Sequence, residues 1–198
     1  MMAATLPTAK PQATLATVAA RAARQWKKHR GAAPMPALYL VGVPGYYWGA
    51  MGNPNANDRG IYDDAIFIIS PTLFASFNAN TDPSAFRKAI ATLLPGVHPY
   101  RPGNHGISRP GGGYPAFRPA TPNESLPVRR DGETTIPSTR PGIAINIHRG
   151  SRTSTSSEGC QTIPPPQWPH FHATLTAELK RHALKSFPYI LLDPGAIA

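Results

Sequence analysis

The chain holds a single cysteine, Cys160, and a histidine, His148, stands twelve positions before it. A thiolate is a strong nucleophile, but a free cysteine ionises near pH 8.5 and needs a neighbour that takes its proton, most often a histidine. His148 closes an apolar stretch, Gly142-Ile-Ala-Ile-Asn-Ile-His148. The segment that follows is small and polar, Gly150-Ser-Arg-Thr-Ser-Thr-Ser-Ser-Glu158. Such a loop can fold back and set thiol beside imidazole. Gly159 lets the backbone turn tightly before the nucleophile, and the backbone N–H groups around Gly159 and Cys160 are candidates for an oxyanion hole. A lone cysteine can equally be a small buried hydrophobe, and a lone histidine after a strand can be structural. The surroundings of Cys160, Ser156-Ser-Glu-Gly-Cys-Gln-Thr162, are polar and unlike a core.

Other groupings carry less chemistry. Asn57-Asp58-Arg59 and Asp63-Asp64 suit either a bound cation or a turn whose carboxylates pair with arginines. His170 and His172 are two apart and would face different sides of a helix, a poor zinc pair. His98 and His105 sit in a proline-rich stretch with no third ligand in sight, so no metal and no cofactor are expected. Gly111-Gly-Gly113 lacks the Lys-Ser/Thr of a phosphate loop. His105, Arg109 and Tyr114 are candidates for lining a substrate cleft.

These groups must be held by short elements. The spacing of Leu15, Val18, Ala22 and Trp26 predicts a helix over about 12–30, flanked by Arg21, Arg24, Lys27 and Lys28. It is either a packed or solvated terminal helix or a basic amphipathic segment that touches an anionic envelope. Ala37–Val43, Ala65–Ser70 and Leu73–Phe77 read as strands. Ser84 could cap a helix running to about Leu94, with Phe86, Ile90, Leu93 and Leu94 on one side and Pro95-Gly96 as its stop. His98–Arg140 reads as loop-rich, with short strands near Tyr114–Phe117 and Leu126–Arg130. Gly142–His148, with Ile143, Ile145 and Ile147 on one face, is the clearest strand. Trp168, Phe171, Leu175 and Leu179 define a second helix, and Pro188–Asp193 a closing strand. The expectation is a β-rich α+β fold.

The 198 residues suit one domain, 36–198, preceded by a basic tail or helix over 1–35. With 24 prolines and 17 glycines, about a fifth of the chain favours turns, which argues against a helical bundle. The net charge of +10 draws such a protein to polyanions. No zinc-finger, helix-turn-helix or RNA-binding signature accompanies that charge, and nucleic acid is not an expected partner. One cysteine permits no internal disulfide. No apolar run approaches the ~18 residues of a membrane-spanning helix. The N-terminus has no recognisable signal peptide, because its basic residues follow the Ala-rich stretch. Action outside the cytoplasm would therefore rely on other machinery.

Ile147-His148 followed by Ser157-Glu158-Gly159-Cys160 resembles the signature of the L,D-transpeptidase catalytic domain: a histidine, a spacer, then Ser or Thr, any residue, Gly and Cys. Gly45-Tyr-Tyr47, Asn57-Asp-Arg-Gly-Ile-Tyr-Asp-Asp64, Phe77-Asn-Ala-Asn-Thr-Asp-Pro83, Pro95-Gly-Val97 and Ile145-Asn-Ile-His-Arg-Gly150 are similar to phage and bacterial proteins of the same superfamily. The resemblance covers about residues 38–172. It implies a β-sandwich with the cysteine in a cleft, and attack on peptidoglycan stem peptides through a cysteine acyl-enzyme. On this reading Cys160 and His148 are catalytic with Gly159 beside them. Ser157, Arg149, Gly150 and Gln161, with His105 and Tyr114, are expected to hold substrate. The chain departs from the pattern in a shorter spacer, in Glu158 where many members have His, and in Gln161-Thr162 after the cysteine. The resemblance itself leaves release of the acyl-enzyme to water or to an amine open. The small, basic chain with no recognisable signal peptide suits hydrolysis in the bacterial wall or periplasm, by a phage lysis enzyme or an antibacterial effector, and a monomer is expected. The alternatives are a cross-linking transpeptidase and a non-catalytic wall-binding or phage structural protein.

Overall fold

The structure is a computed structural model and describes residues 12–53, 57–108 and 110–197. Its elements in chain order are α1 (Leu15–Arg30), β1 (Tyr39–Val43), β2 (Asp64–Ser70), β3 (Leu73–Ala79), β4 (Ala91–Leu93), β5 (Gly96–His105), β6 (Tyr114–Pro119), β7 (Ser125–Leu126), β8 (Val128–Arg130), β9 (Gly142–Ile143), β10 (Ile147–Arg149), β11 (Gln161–Ile163), α2 (Trp168–Arg181) and β12 (Phe187–Leu191). Eight strands form one mixed sheet in the order β11-β10-β6-β5-β12-β1-β2-β3, and β4-β8 and β7-β9 are two-stranded ribbons. The chain thus has the β-rich α+β architecture that its alternating apolar runs predict. The two edges of the large sheet also meet. Just beyond β3, the Asn80 N–H donates to the Thr162 carbonyl at 2.9 Å and the Thr162 N–H donates back at 2.8 Å. This single bridge satisfies the open backbone groups of one residue pair where the edges meet.

Strand alternation sorts the core into two clusters. Leu40, Ile66, Ile68, Phe77, Tyr189 and Leu191 face α2, whose Trp168, Phe171, Leu175 and Leu179 are all buried. Burying each such side chain contributes about 1.5–3 kcal/mol. Tyr39, Val41, Val43, Phe67, Ile69, Ile190 and Leu192 face the other way, toward Val18 and Ala22 of α1. Thr14 caps α1 through a bond from the Thr17 N–H, and the Gln25 amide donates to the Leu191 carbonyl at 3.2 Å. The inner face of α1 is therefore packed on the sheet, while Arg21, Arg24, Lys27 and Lys28 stand exposed. Among the described residues no helix is long and apolar enough to cross a membrane.

Three expectations are corrected. No helix spans Ser84–Leu94; the segment turns irregularly and ends in β4, which pairs with β8. Ala89 adopts a left-handed φ of 65° and gives its N–H to the Asp131 carbonyl, so the pairing with a distant strand overrides local helix propensity. Phe86, assigned to the buried side, is 73% exposed. The second correction concerns the stretch after His98, which forms β5, the longest strand; Pro99, Pro102 and Gly103 within it disguise it as loop. Thirdly, Gly142–His148 is not one strand. Ala144, with φ 53°, breaks it into β9 and β10, leaving Ile143 exposed while Ile145 and Ile147 stay buried.

Candidate active site

His148 is the middle residue of β10, paired in parallel with Thr162 of β11, and Cys160 immediately precedes β11. Parallel neighbours need a crossover, and here the loop 150–160 supplies it without a helix. Its shape is fixed by hydroxyls. Ser84 accepts the Ser157 N–H on its Oγ at 2.7 Å and gives its own N–H to the Ser157 carbonyl at 2.9 Å. The Ser84 hydroxyl also meets that of Thr155 at 2.6 Å, and the Tyr62 hydroxyl donates to the Ser151 carbonyl at 2.8 Å. Ser157 Oγ in turn accepts the Gly159 N–H at 3.0 Å and donates to the Cys160 carbonyl at 2.7 Å. Gly159 has φ 124°, and a Cβ there would strike the Ala91 carbonyl oxygen, so only glycine fits beneath the nucleophile.

The thiol and two imidazoles converge. One ring nitrogen each from His105 and His148 and the Cys160 Sγ all lie within 4.8 Å of one another. The two rings stack with centroids 3.9 Å apart. The break at Ala144 brings backbone to the sulfur: the Asn146 N–H donates to Sγ at 3.4 Å, and the thiol points to the Ala144 carbonyl at 3.8 Å. His148 Nδ1 lies 2.7 Å from the Arg149 carbonyl oxygen and 2.9 Å from the Tyr114 hydroxyl. A carbonyl only accepts, so Nδ1 carries the proton and the neutral ring has its lone pair on Nε2, the form a general base needs.

Burial pushes the Cys160 thiol up to about 11, with the Glu158 carboxylate adding to the rise and the Asn146 N–H and the Arg118 guanidinium opposing it. At neutral pH the resting sulfur is a thiol, and it reaches the thiolate only by handing its proton to a base. The cleft above it is open, about 620 Å³, and its walls include His105, Tyr114, Ile143, Ser154, Ser157 and Glu158.

The expected site residues separate. Cys160, His148, His105, Tyr114 and Ser157 meet at this cleft. Gly159 sits beneath it, and its N–H is held by Ser157, which leaves it no role as an oxyanion donor. Arg149 takes part through its carbonyl, while its guanidinium lies 5.4 Å from the Tyr114 ring centre. Gly150 packs against Tyr62 and donates to the Ile163 carbonyl, away from the cleft walls. Gln161 is fully buried and braces the loop instead of holding substrate. Its amide donates to the Thr81 and Gly159 carbonyls and accepts from the Tyr189 hydroxyl. Arg109 lies outside the described residues.

Sequence reasoning put His105 in the cleft but not beside the His148 ring, and it missed Asn146 altogether. β5 and β6 pair His105 with Tyr114, and that hairpin carries His105 onto His148. The Asn146 amide nitrogen lies 3.1 Å from His105 Nδ1. The signal for His105 was the strand β5, hidden by its prolines, whereas Asn146 reaches the site through the break at Ala144, which the alternating isoleucines conceal.

The remaining candidates resolve as structure. Arg59 pairs with Asp131 and Asp58 with Asn53. Asp64 is buried and accepts from the Gly45 and Thr81 N–H groups and from the Thr81 hydroxyl. Its carboxyl and those of Asp63 and Asp82 are raised, chiefly by burial. His98 is buried and bonds the Leu94 carbonyl at 2.9 Å. His170 is exposed at the helix surface, while the His172 ring lies 5.3 Å from that of Phe117. No family model, no curated protein and no solved structure matches the chain.

Proposed function

We propose that the chain is a cysteine enzyme acting on bacterial peptidoglycan, which cleaves amide bonds of the stem peptides through an acyl-enzyme. One observation carries the reading: a thiol and an imidazole with its Nδ1 proton tied to the Arg149 carbonyl come together on the floor of an open cleft. His148 takes the proton from Cys160, and the sulfur forms a bond to the substrate carbonyl carbon. The oxyanion is received by the Cys160 N–H. Collapse breaks the C–N bond, and His148 returns the proton to the departing amine. Water, deprotonated by the same ring, then attacks the thioester and releases a carboxylate and the free thiol.

The peptidoglycan assignment is supported by the resemblance of His148 and Ser157-x-Gly159-Cys160 to the L,D-transpeptidase signature, and by a net charge of +10 that suits an anionic envelope. Hydrolysis is favoured over transfer because the cleft is open and lined by the small hydroxyls of Ser84, Ser154, Ser156 and Ser157, which leave water a path to the thioester. The proposed site of action is the bacterial periplasm or wall. Mass spectrometry of sacculi incubated with the protein tests this. Shortened stems are the expected product. New cross-links would replace hydrolysis by transfer, and unchanged sacculi would sink the enzyme reading.

A further inference from the structure

We propose that His105, His148 and Cys160 together form a binding site for a thiophilic divalent cation of the Zn²⁺ class, and that the bound ion masks the nucleophile. The binding follows from the cluster's geometry; only the masking rests on the proposed role of Cys160. Three ligand atoms, one from the end of β5 and two from either side of the loop 150–160, lie within 4.8 Å of one another. In tetrahedral zinc, bonds of about 2.0–2.3 Å put ligand atoms about 3.3–3.8 Å apart, so a small inward rotation of the rings completes the set. His105 ends β5, is only half-buried and precedes Gly106, so it has room for that rotation, which also unstacks the two imidazoles.

The surroundings hold both rings as metal-binding histidines are held, by a polar group on the far nitrogen. For His148 that group is the Arg149 carbonyl on Nδ1, which leaves Nε2 as ligand. For His105 it is Asn146. As it stands, the amide nitrogen of Asn146 approaches Nδ1 at 3.1 Å, while its Oδ1 is buried and has no hydrogen-bond partner. Turning the amide by half a turn sets Oδ1 to accept from an Nδ1–H, which leaves the His105 lone pair on Nε2 for the ion. The same flip satisfies the buried oxygen.

Two imidazoles and a thiolate select borderline and soft cations and disfavour Mg²⁺ and Ca²⁺, which require oxygen ligands. Three protein ligands leave a fourth position open to the cleft for water. Binding exchanges one proton for the cation: the Cys160 S–H bond breaks, an S–metal bond forms, and the proton goes to buffer. While the sulfur's lone pair and the His148 nitrogen are on the metal, neither can act on a carbonyl.

The test uses the full chain stripped of metal with a chelator and titrated with Co²⁺ alone. The expected result is one equivalent bound, with a thiolate-to-cobalt charge-transfer band and the visible bands of tetrahedral cobalt, all displaced by Zn²⁺ and unaffected by Mg²⁺. Cys160→Ser should remove the charge-transfer band, and His105→Ala should weaken binding by more than about tenfold, the lower end for losing even an outer-shell partner. One equivalent of Zn²⁺ should also slow alkylation of Cys160 by iodoacetamide, reversibly with chelator, in the wild type but not in His105→Ala, with thermal melting run alongside to show that both fold. No cobalt binding, or binding of equal strength in His105→Ala, would overturn the site. Sacculus digestion is read separately in the metal-free protein. Cobalt binding without any digestion leaves the site standing and sinks the peptidoglycan reading. Digestion that persists in excess Zn²⁺, or that requires Zn²⁺, overturns the masking.

Discussion

The Nδ1 of His148 lies 2.7 Å from the carbonyl oxygen of the next residue, Arg149. No side chain has to be recruited to set the tautomer, because the orienting acceptor is part of β10 itself. His148→Ala should lower sacculus digestion by about 10²–10⁴-fold, the usual contribution of a general base, and Cys160→Ser should abolish it. Arg149→Ala keeps the carbonyl and should stay within a few fold of wild type, as should Tyr114→Phe. Rates on sacculi check all four, with melting curves to show that they fold. A collapse of activity in Arg149→Ala would move the role of Arg149 from its backbone to its side chain.

The Cys160 thiol is held up to about 11 by burial. In His148→Ala, alkylation by iodoacetamide should therefore climb about tenfold for each pH unit above neutrality and level off near that value, because only the thiolate reacts. The wild type should react faster than this variant at pH 7. A plateau near pH 7 in His148→Ala would mean that the sulfur is ionised without the base, and the order of proton transfer given above would fail.

Ser157 joins the two halves of the loop's last turn, accepting from the Gly159 N–H and donating to the Cys160 carbonyl. Ser157→Ala leaves a buried N–H unsatisfied, at a cost of about 1–3 kcal/mol. The expected outcome is a lower melting temperature together with a loss of kcat exceeding any change in KM, since the nucleophile is displaced more than the cleft. Steady-state kinetics on a soluble stem-peptide substrate measure this. A pure KM effect would make Ser157 a substrate contact.

The helices α1 and α2 and most strands follow directly from periodicity, because Val18 and Ala22, or Phe171, Leu175 and Leu179, can be buried only in that register. The pair of Cys160 and His148 was legible for the same local reason: one short polar loop joins them. His105 was legible only as a residue of the cleft; its stacking on His148 was not, since it comes about through β5, whose prolines mask its alternation, and through pairing with β6. Asn146 and Ala144 were read as ordinary strand residues, but Ala144 has a left-handed φ, and beyond that break the Asn146 N–H meets the Cys160 sulfur, a non-local contact that alternation does not signal. Gln161 looked like a substrate residue by its place next to the nucleophile. Only the contacts of Tyr189 and Thr81 reveal that it faces inward.

Asp82 is buried, and its carboxyl is pushed from 3.8 up to about 7, first by burial and then by repulsion from Asp63 and Asp131 against the pull of Arg59 and Arg129. A raised carboxyl favours the fold in its protonated form. That contribution is complete below about pH 4 and is lost as pH rises through about 7. His98 works in the opposite sense, because burial lowers it from 6.5 to about 4; its contribution is complete above 6.5 and is lost as pH falls through about 4. Asp82→Asn isolates the first effect and keeps a group that Asn57 can bond. It should melt a few degrees above wild type at pH 8 and lose that advantage by pH 5. An advantage that grew as pH fell would reverse the sign assigned to Asp82.

The two faces of α1 can be tested apart. Its inner face buries Val18, Ala22 and Gln25, and Gln25 bonds the β12 backbone. A chain starting at Ala37 would expose the apolar surface of Val41, Phe67 and Ile190, all of which belong to the cluster that α1 covers. It should melt several degrees lower and digest sacculi poorly on every preparation. Replacing Arg21, Arg24, Lys27 and Lys28 together with Gln removes only exposed charge, and should leave melting and digestion of purified sacculi close to wild type. We propose that these residues hold the protein near an anionic envelope, at about 1 kcal/mol for each basic residue close to an anionic surface. The Gln variant should then bind anionic vesicles less tightly and with a flatter salt dependence, since raising salt from 0.1 M to 1 M shortens the Debye length from about 10 Å to about 3 Å. Vesicle co-sedimentation across that range measures it. Binding as tight and as salt-sensitive as wild type would confine α1 to its packing role.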